Sequence, residues 1–198
     1  MRHNMKNYDF IDSLERSGGD YHIPKSVRDV ISHVFPGSTT IKSAKDLDRR
    51  GIDCIVQIGS KQVTLDYKFR EKDPLHFLRG VDDLLLEEWS VLPCDDCPYG
   101  KIGWTLDPNK EADYVLWVWT RPDIPTYRRW YMAPRSILQN VFAVNLDHWK
   151  CTYEIKTFNE RDRRKGIAWQ TRCVCVPRSV VHDEIIIRST FTCGTLPS

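Results

Sequence analysis

The amino-acid sequence predicts an α/β or α+β fold, with a central mixed β-sheet flanked by helices. Three observations support this: helical patterns near the beginning, a series of strand-like runs through the middle, and a helical pattern that follows Pro134. The 198 residues, 41% of them hydrophobic and 28% charged, suffice for one domain with a real core. We therefore predict a single domain over residues 1–198, with a core at about 8–145 and a C-terminal basic hairpin extension at about 146–198.

The helices come first in the predicted order. Residues 8–16 and 25–35 carry apolar residues at helical spacing, and Pro36-Gly37 ends the second helix. A β-hairpin follows, formed by two strand-like runs around a Gly-Ser-Lys turn at 59–61. The remaining predictions are strands at 84–91, 113–119 and 128–133, a helix at 134–142, and a late hairpin made of 151–158 and 169–177.

Composition limits the class of protein and its compartment. The net charge of +2 neither demands nor excludes a nucleic-acid partner, so a site for a polyanion has to come from local clustering. No run approaches the roughly 18 apolar residues that span a bilayer, and the polar start RHNMKNYD lacks the apolar centre of a secretory signal. Together with seven scattered cysteines, these features predict a cytoplasmic protein with mostly free thiols and no membrane partner.

The first hairpin concentrates charge on one face. Side chains alternate along a strand, so Asp66 and Lys68 share a face. If Ser60 and Lys61 form the two-residue turn, Asp53 lies opposite Lys68 on that same face. Two carboxylates that converge in this way suit a hard divalent cation such as Mg²⁺ or Mn²⁺. Such a metal polarises a phosphodiester and activates water, while a neighbouring lysine stabilises developing negative charge.

These residues also carry a family resemblance. The run GID at 51–53, followed after the turn by LDYK at 65–68, resembles the Asp…(Asp/Glu)-x-Lys signature of the PD-(D/E)XK nuclease superfamily. The resemblance implies a restriction-endonuclease-like core, with Asp53 and Asp66 as ligands of Mg²⁺ or Mn²⁺ and Lys68 as the catalytic lysine. Ile52 stands where the superfamily usually has Pro, and outside the motif the resemblance covers only the order of the elements.

A further carboxylate would complement the pair. Glu87 and Glu88 both lie in the strand-like run LLLEEWSV, and we favour Glu88 as the catalytic group because its face also carries Ser90. Glu15 is another candidate, since superfamily members often place an acidic residue on the first helix; a solvated helix face is the favoured interpretation there. Which of the three glutamates completes the site stays open.

Basic residues cluster in the late hairpin. Between positions 156 and 172, six Lys and Arg residues against two acidic ones leave an excess of +4. Such a patch is typical of a surface that follows a phosphate backbone. The residues predicted to contact nucleic acid are Arg161, Arg163, Arg164 and Lys165.

A single CxxC motif, Cys94 and Cys97, raises the question of zinc. A structural zinc site needs four ligands, usually from a second pair at a suitable spacing. The other cysteines and His148 do not form an obvious second pair, so zinc at Cys94 and Cys97 stays open.

The leading hypothesis from the sequence is a metal-dependent nuclease, a hydrolase of phosphodiester bonds that acts as a DNA endonuclease. Two other classes remain: a catalytically inactive nuclease-fold protein that binds nucleic acid through its basic loop, and a protein–protein adaptor or inhibitor. The choice of DNA or RNA, the strandedness of the substrate and its sequence preference stay open. A homodimer is compatible with this hypothesis, because many nucleases use two centres to cut two strands.

Overall fold

The computed structural model describes residues 8–9, 23–42, 47, 49–70, 82–95, 97–121, 123–162, 167–186 and 194–195. Within these residues the chain forms a mixed α/β structure of two β-sheets and three helices, and most of its elements are strands. Among the described helices, none has the length and apolar content that crossing a membrane requires.

The described elements follow one another in a simple order. In sequence they are β1 (Tyr8–Asp9), α1 (Lys25–Val34), β2 (Thr39–Lys42), β3 (Cys54–Ile58), β4 (Lys61–Arg70), β5 (Asp83–Val91), β6 (Lys101–Ile102), β7 (Tyr114–Arg121), β8 (Ile124–Pro134), α2 (Arg135–Thr152), β9 (Ile155–Asp162), β10 (Ile167–Pro177), α3 (Arg178–Ile186) and β11 (Gly194–Thr195).

The predicted mixed α/β class is confirmed, but the strands form two sheets rather than one central sheet. The six-stranded sheet has the order β11-β8-β7-β4-β3-β2, with β4 and β7 parallel and the other neighbours antiparallel. The five-stranded sheet has the order β1-β9-β10-β5-β6. The late hairpin, β9 and β10, pairs with β5 in this second sheet, and the boundary predicted near residue 145 falls inside α2.

Apolar cores cover both faces of the six-stranded sheet. On one face, Val27 and Ile31 of α1 pack against Leu65 and its neighbours. The opposite face packs against the five-stranded sheet and the helices α2 and α3, around side chains such as Trp117 and Phe142. These two cores follow from alternation along the strands, because each strand presents one apolar set to each side.

The register places the charged residues of β4 beside the core between the two sheets. Asp66 pairs with Val115 and Lys68 with Trp117 across the parallel β4–β7 ladder. Directly opposed residues in a ladder point to the same face. Asp66 and Lys68 therefore lie on the face that carries the larger core, where Asp66 is buried and Lys68 is partly buried.

Two helix predictions differ from the structure in informative ways. The helix expected at 134–142 continues to Thr152, because Trp149 is buried and packs on Phe142 with 6.1 Å between ring centroids. The helix expected at 8–16 is wrong at its start, where Tyr8–Asp9 pairs with β9 in parallel. The rest of that segment, including Glu15, lies outside the described residues.

Candidate active site

The turn between β3 and β4 is Gly59-Ser60, one residue earlier than the predicted Ser60-Lys61. Ile58 pairs with Lys61, and Gly59 has a φ of 57°. A residue without Cβ adopts this left-handed conformation at little cost, which favours glycine at the first position of a two-residue hairpin turn. The predicted register was therefore wrong.

Asp53, Asp66 and Lys68 still lie on one face of the hairpin in the observed register. Moving the turn by one residue changes each pairing by two positions, which leaves every side chain on its original side. The observed ladder ends with Cys54 opposite Leu65. Asp53 follows next and lies beside Asp66, not beside Lys68 as predicted.

The Asp53 carboxylate continues the ladder where the strand β3 stops. The Asp53 backbone N–H donates to the Leu65 carbonyl at 2.8 Å, and Asp53 Oδ2 accepts the Tyr67 backbone N–H at 2.8 Å. A backbone N–H in a half-buried place needs an acceptor, and here a side chain supplies it. This bond fixes the position of the carboxylate at the end of the strand.

Asp66 and Lys68 form a close ion pair. Asp66 is 3% exposed, and its Oδ1 lies 2.6 Å from Lys68 Nζ. The same ammonium lies 4.6 Å from the centroid of the Trp104 ring, within the range of a cation–π interaction. Lys68 is therefore held between a carboxylate and an indole.

The bonds of Asp53 to Leu65 and Tyr67, the two neighbours of Asp66 in the chain, place the Asp53 carboxyl group beside Asp66, so that the Asp66 charge acts on it. Burial and then the neighbouring Asp66 charge raise the pKa of Asp53 to about 7, against the opposing effects of Lys68 and of the Tyr67 N–H. Like charges this close in a poorly hydrated place do not both ionise readily. At neutral pH Asp53 therefore favours either a proton of its own or a nearby cation.

A turn after β6 places Trp104 beneath the lysine. The Gly103 N–H donates to the Glu88 carbonyl at 2.8 Å, and the Trp104 N–H donates to Glu87 Oε1 at 3.1 Å. The Trp104 ring also packs on Trp117 at 6.0 Å between centroids. Sequence reasoning did not link Trp104 to Lys68, because this contact joins segments that are distant along the chain.

We expect Gly103→Ala to destabilise the fold strongly. A Cβ at this position would lie 2.1 Å from the Glu87 carbonyl oxygen, and that neighbour is backbone. The turn would have to move off β5, at a cost of at least about 2 kcal/mol in the free energy of unfolding. Urea denaturation measures this cost.

Gly37→Ala is the control. An alanine at the Gly37 φ of 76° costs about 1–2 kcal/mol in stability, but no atom lies within 4 Å of the added Cβ. Equal losses in the two variants would contradict the proposed clash.

Glu88 lies in an ion cluster of its own. Its two carboxylate oxygens accept bonds from Lys150 Nζ and Arg172 Nε, each at 2.8 Å, and the residue is only 6% exposed. Burial opposes ionisation, yet these two hydrogen bonds lower the pKa of Glu88 below its ordinary value. The cluster ties α2 to β5 and β10, which is a structural role.

The reason given for preferring Glu88 to Glu87 was wrong. The Ser90 hydroxyl donates to the Glu87 carboxylate, not to Glu88. The ladder with β10 skips Glu88, since Cys173 pairs with Glu87 and the next pair involves Trp89. A bulge of this kind interrupts strict alternation, so counting by two fails across it.

We expect Glu88→Gln to lower stability and to leave catalysis largely intact. The substitution leaves Lys150 and Arg172 without their carboxylate, at a cost of about 2–4 kcal/mol at neutral pH. Because the pKa of Glu88 is lowered in the folded protein, the wild type has its full stability advantage over Glu88→Gln at pH values above the ordinary carboxyl pKa. It disappears as the pH falls through the lowered value.

Denaturation curves at several pH values, together with a nuclease assay at low temperature, check this expectation. A folded Glu88→Gln protein that has lost at least about a hundredfold in cleavage would instead support the catalytic role predicted from the sequence.

Several predicted contacts with nucleic acid fall outside the described part of the chain. Arg163, Arg164 and Lys165 lie there, and Arg161 is described only as a backbone position in β9, opposite Ala168. Their role stays a prediction.

No group of three or more His, Cys, Asp or Glu side chains is arranged to hold a metal among the described residues. Within the described part of the chain, the candidate centre therefore has two carboxylates, Asp53 and Asp66, as possible metal ligands. Cys94 and Cys97 face each other in a small antiparallel bridge and are free thiols.

Comparison with known proteins finds no relative of this chain. No family model, no curated protein and no solved structure matches this chain. A function for this chain is therefore inferred from the geometry of Asp53, Asp66 and Lys68.

Proposed function

We propose that this protein is a metal-dependent nuclease with a restriction-endonuclease-like core, which acts as a DNA endonuclease. The observation that carries the proposal is that hydrogen bonds to Leu65 and Tyr67 hold Asp53 beside Asp66, with Lys68 Nζ 2.6 Å from Asp66. Two carboxylates and a lysine on one face of adjacent strands match the set that the resemblance to the PD-(D/E)XK superfamily implies, and such groups can hold a metal and stabilise negative charge.

The donor set fits a hard divalent cation. Both groups are carboxylates, which Mg²⁺ and Mn²⁺ prefer over nitrogen or sulfur ligands. One oxygen of each is already fixed, Asp53 Oδ2 by the Tyr67 N–H and Asp66 Oδ1 by Lys68. The pKa of Asp53 is raised first by burial and then by the Asp66 charge, so a cation bound there would favour the ionised form of Asp53. When bound there, Mg²⁺ or Mn²⁺ would polarise the phosphodiester and make water more acidic.

Each residue then has a distinct task. Asp53 and Asp66 hold the cation, and the backbone bond from Tyr67 keeps Asp53 oriented. Lys68 places positive charge next to Asp66, where it stabilises negative charge that develops on the phosphoryl oxygens. Trp104 restrains the lysine by a cation–π contact with its ammonium.

The decisive experiment is a cleavage panel. The purified chain is incubated with supercoiled, linear, branched and single-stranded DNA and with RNA, in Mg²⁺, in Mn²⁺ and in EDTA. We expect metal-dependent internal cleavage of DNA, and loss of that cleavage in Lys68→Ala. Activity that persists in EDTA, or full activity of the lysine variant, would overturn the proposal.

A second candidate is an inactive protein of the same fold that binds nucleic acid. It is favoured by the finding that Lys68, Asp66 and Asp53 all have partners within the chain. Such a network can serve stability alone. This candidate predicts DNA retention in a gel shift, no cleavage with any metal, and no heat of Mg²⁺ binding in calorimetry.

A further inference from the structure

The connection between β5 and β6 carries the two cysteines of the CxxC motif on one side of a tight turn. The Cys94 N–H donates to the Cys97 carbonyl at 3.1 Å, and the Cys97 N–H donates to the Cys94 carbonyl at 3.0 Å. Residues that exchange both bonds lie directly opposite each other, and their side chains point to the same face. Cys94 is exposed and Cys97 is partly exposed, so solvent reaches this pair of thiols.

The spacing of the two cysteines suits a shared metal ion better than a disulfide. A pair that exchanges both bonds has its Cα atoms about 5.5 Å apart and holds its side chains farther apart than the alternate pairs of a ladder do. A disulfide needs Cβ atoms about 3.5–4.5 Å apart. Two sulfurs bound to one tetrahedral zinc at about 2.3 Å each lie about 3.8 Å from each other, which side chains on Cβ atoms about 5 Å apart reach without moving the backbone. Both cysteines are free thiols.

Backbone contacts on both sides of the turn hold the thiols in place. Before the turn, the Leu92 N–H donates to the Gln170 carbonyl of β10 at 2.8 Å. After it, the Gly100 N–H donates to the Cys97 carbonyl at 3.0 Å, and Gly100 has a φ of 60°. A Cβ on Gly100 would lie 2.7 Å from the Val91 carbonyl oxygen, so glycine permits the close return of the chain to β5. Ligands on a fixed backbone lose little conformational entropy when they bind a metal.

Two thiolates make only half of a structural zinc site. Such a site is tetrahedral and takes four protein ligands, most often cysteine and histidine. Among the described residues, no third His, Cys, Asp or Glu is grouped with Cys94 and Cys97. An identical turn from a second copy of the chain would supply the two missing thiolates. A two-fold axis through the metal then makes the contributions of the two chains equivalent.

The surroundings of the turn are open to a second copy. β6 is the last strand of the five-stranded sheet, so its outer side carries no further strand within the described part of the chain. Edge strands are places where chains associate. Tyr99, just after the CxxC motif, is 93% exposed, and Ile102 on β6 is 41% exposed. A partner bound through the thiols would lie next to these two side chains, and tyrosine is enriched in protein interfaces.

We propose that Cys94 and Cys97 bind zinc together with the same two cysteines of a second copy, so that one Zn²⁺ links two chains. Each of the four thiols releases its proton to the solvent, and the resulting centre of one Zn²⁺ and four thiolates has a net charge of about −2. This site is separate from the proposed nuclease centre. Its ligands are sulfur atoms, which favour zinc, whereas Asp53 and Asp66 offer oxygen atoms, which favour Mg²⁺ or Mn²⁺.

The test measures zinc binding and mass together. The full chain is reduced, stripped of metal and titrated with Zn²⁺ in excess Mg²⁺, which competes for carboxylates but not for thiolates. Calorimetry in two buffers gives the zinc and proton stoichiometries, and analytical ultracentrifugation gives the mass. Co²⁺ replaces zinc in a parallel titration, because its thiolate charge-transfer absorption reports sulfur ligands. Cys94→Ser removes one ligand at an exposed position, and Cys151→Ser is the matched control, since Cys151 is an exposed free cysteine on α2.

We expect the wild type and Cys151→Ser to bind one zinc per two chains, to release about four protons per zinc and to double in mass, with excess EDTA restoring the monomer. Cys94→Ser should remain a monomer and bind zinc at least about a hundredfold more weakly. One zinc per chain without a change in mass would overturn the shared site. A mass that responds to neither zinc nor EDTA, or an unchanged response in Cys94→Ser, would overturn it as well. A zinc-linked dimer that cuts no DNA with any metal would support this site and overturn only the nuclease function.

Discussion

We expect Asp66→Asn to abolish metal-dependent cleavage of DNA, with a loss of at least about a thousandfold. The neutral amide cannot balance a divalent cation, and Lys68 loses the charged partner that lies 2.6 Å away. Asparagine has nearly the same shape as aspartate, so packing at this buried position is preserved. The variant should therefore remain folded while the chemistry is lost.

Initial cleavage rates with saturating Mg²⁺ measure this loss, and circular dichroism with thermal melting checks the fold. Asp123→Asn is the matched control, since Asp123 is an exposed aspartate that pairs with Arg121 at the turn between β7 and β8. A folded Asp66→Asn protein that cuts within tenfold of the wild-type rate would remove the metal centre from consideration.

The local part of the site was predictable because it depends on alternation along one hairpin. Leu65 and Tyr67 face the core beneath α1, while Asp66 and Lys68 face the opposite way, as period-two alternation requires. The face of Asp53 was also predictable, since an error of one residue in the turn changes the partner and not the side.

The rest of the site depends on contacts between distant segments, which periodicity does not encode. Trp104 reaches Lys68 only because the turn after β6 is bonded to β5, in the second sheet. Glu88 is occupied by Lys150 and Arg172, which lie 62 and 84 residues away in the sequence. Propensity and spacing predict elements and faces, but a side chain's partner across two sheets is fixed by tertiary packing.

Together, these contacts distinguish three of the five acidic residues that the sequence brought forward, namely Asp53, Asp66 and Glu88. Among the described residues, Asp53 and Asp66 share one ion-pair partner, Lys68, which contacts Asp66, whereas Glu88 pairs with both Lys150 and Arg172. Perturbed carboxyl groups whose charge is not compensated by the protein are typical of functional sites. The charge balance, more than the sequence motif, thus favours Asp53 and Asp66 as the centre.

The same imbalance predicts that Asp53→Asn will stabilise the protein in alkaline solution. The pKa of Asp53 is raised from 3.8 to about 7 in the folded state, first by burial and then by Asp66. Between these values the folded chain holds a proton that the unfolded chain has released, so wild-type stability falls as the pH rises through this window. Asparagine never ionises, and its side-chain oxygen can still accept the Tyr67 N–H.

We therefore expect Asp53→Asn to exceed the wild type by about 2–4 kcal/mol in free energy of unfolding at about pH 8, and to match it at about pH 4. Urea denaturation in EDTA across this range measures the difference, and Asp123→Asn should show no such trend. Added Mg²⁺ should stabilise the wild type at high pH, by occupying the pair of carboxylates, and should leave Asp53→Asn unchanged. If the difference in free energy of unfolding between Asp53→Asn and the wild type does not vary with pH, then Asp53 is ionised in the folded protein at no cost in stability. The two carboxylates would then lack the uncompensated charge on which cation binding depends.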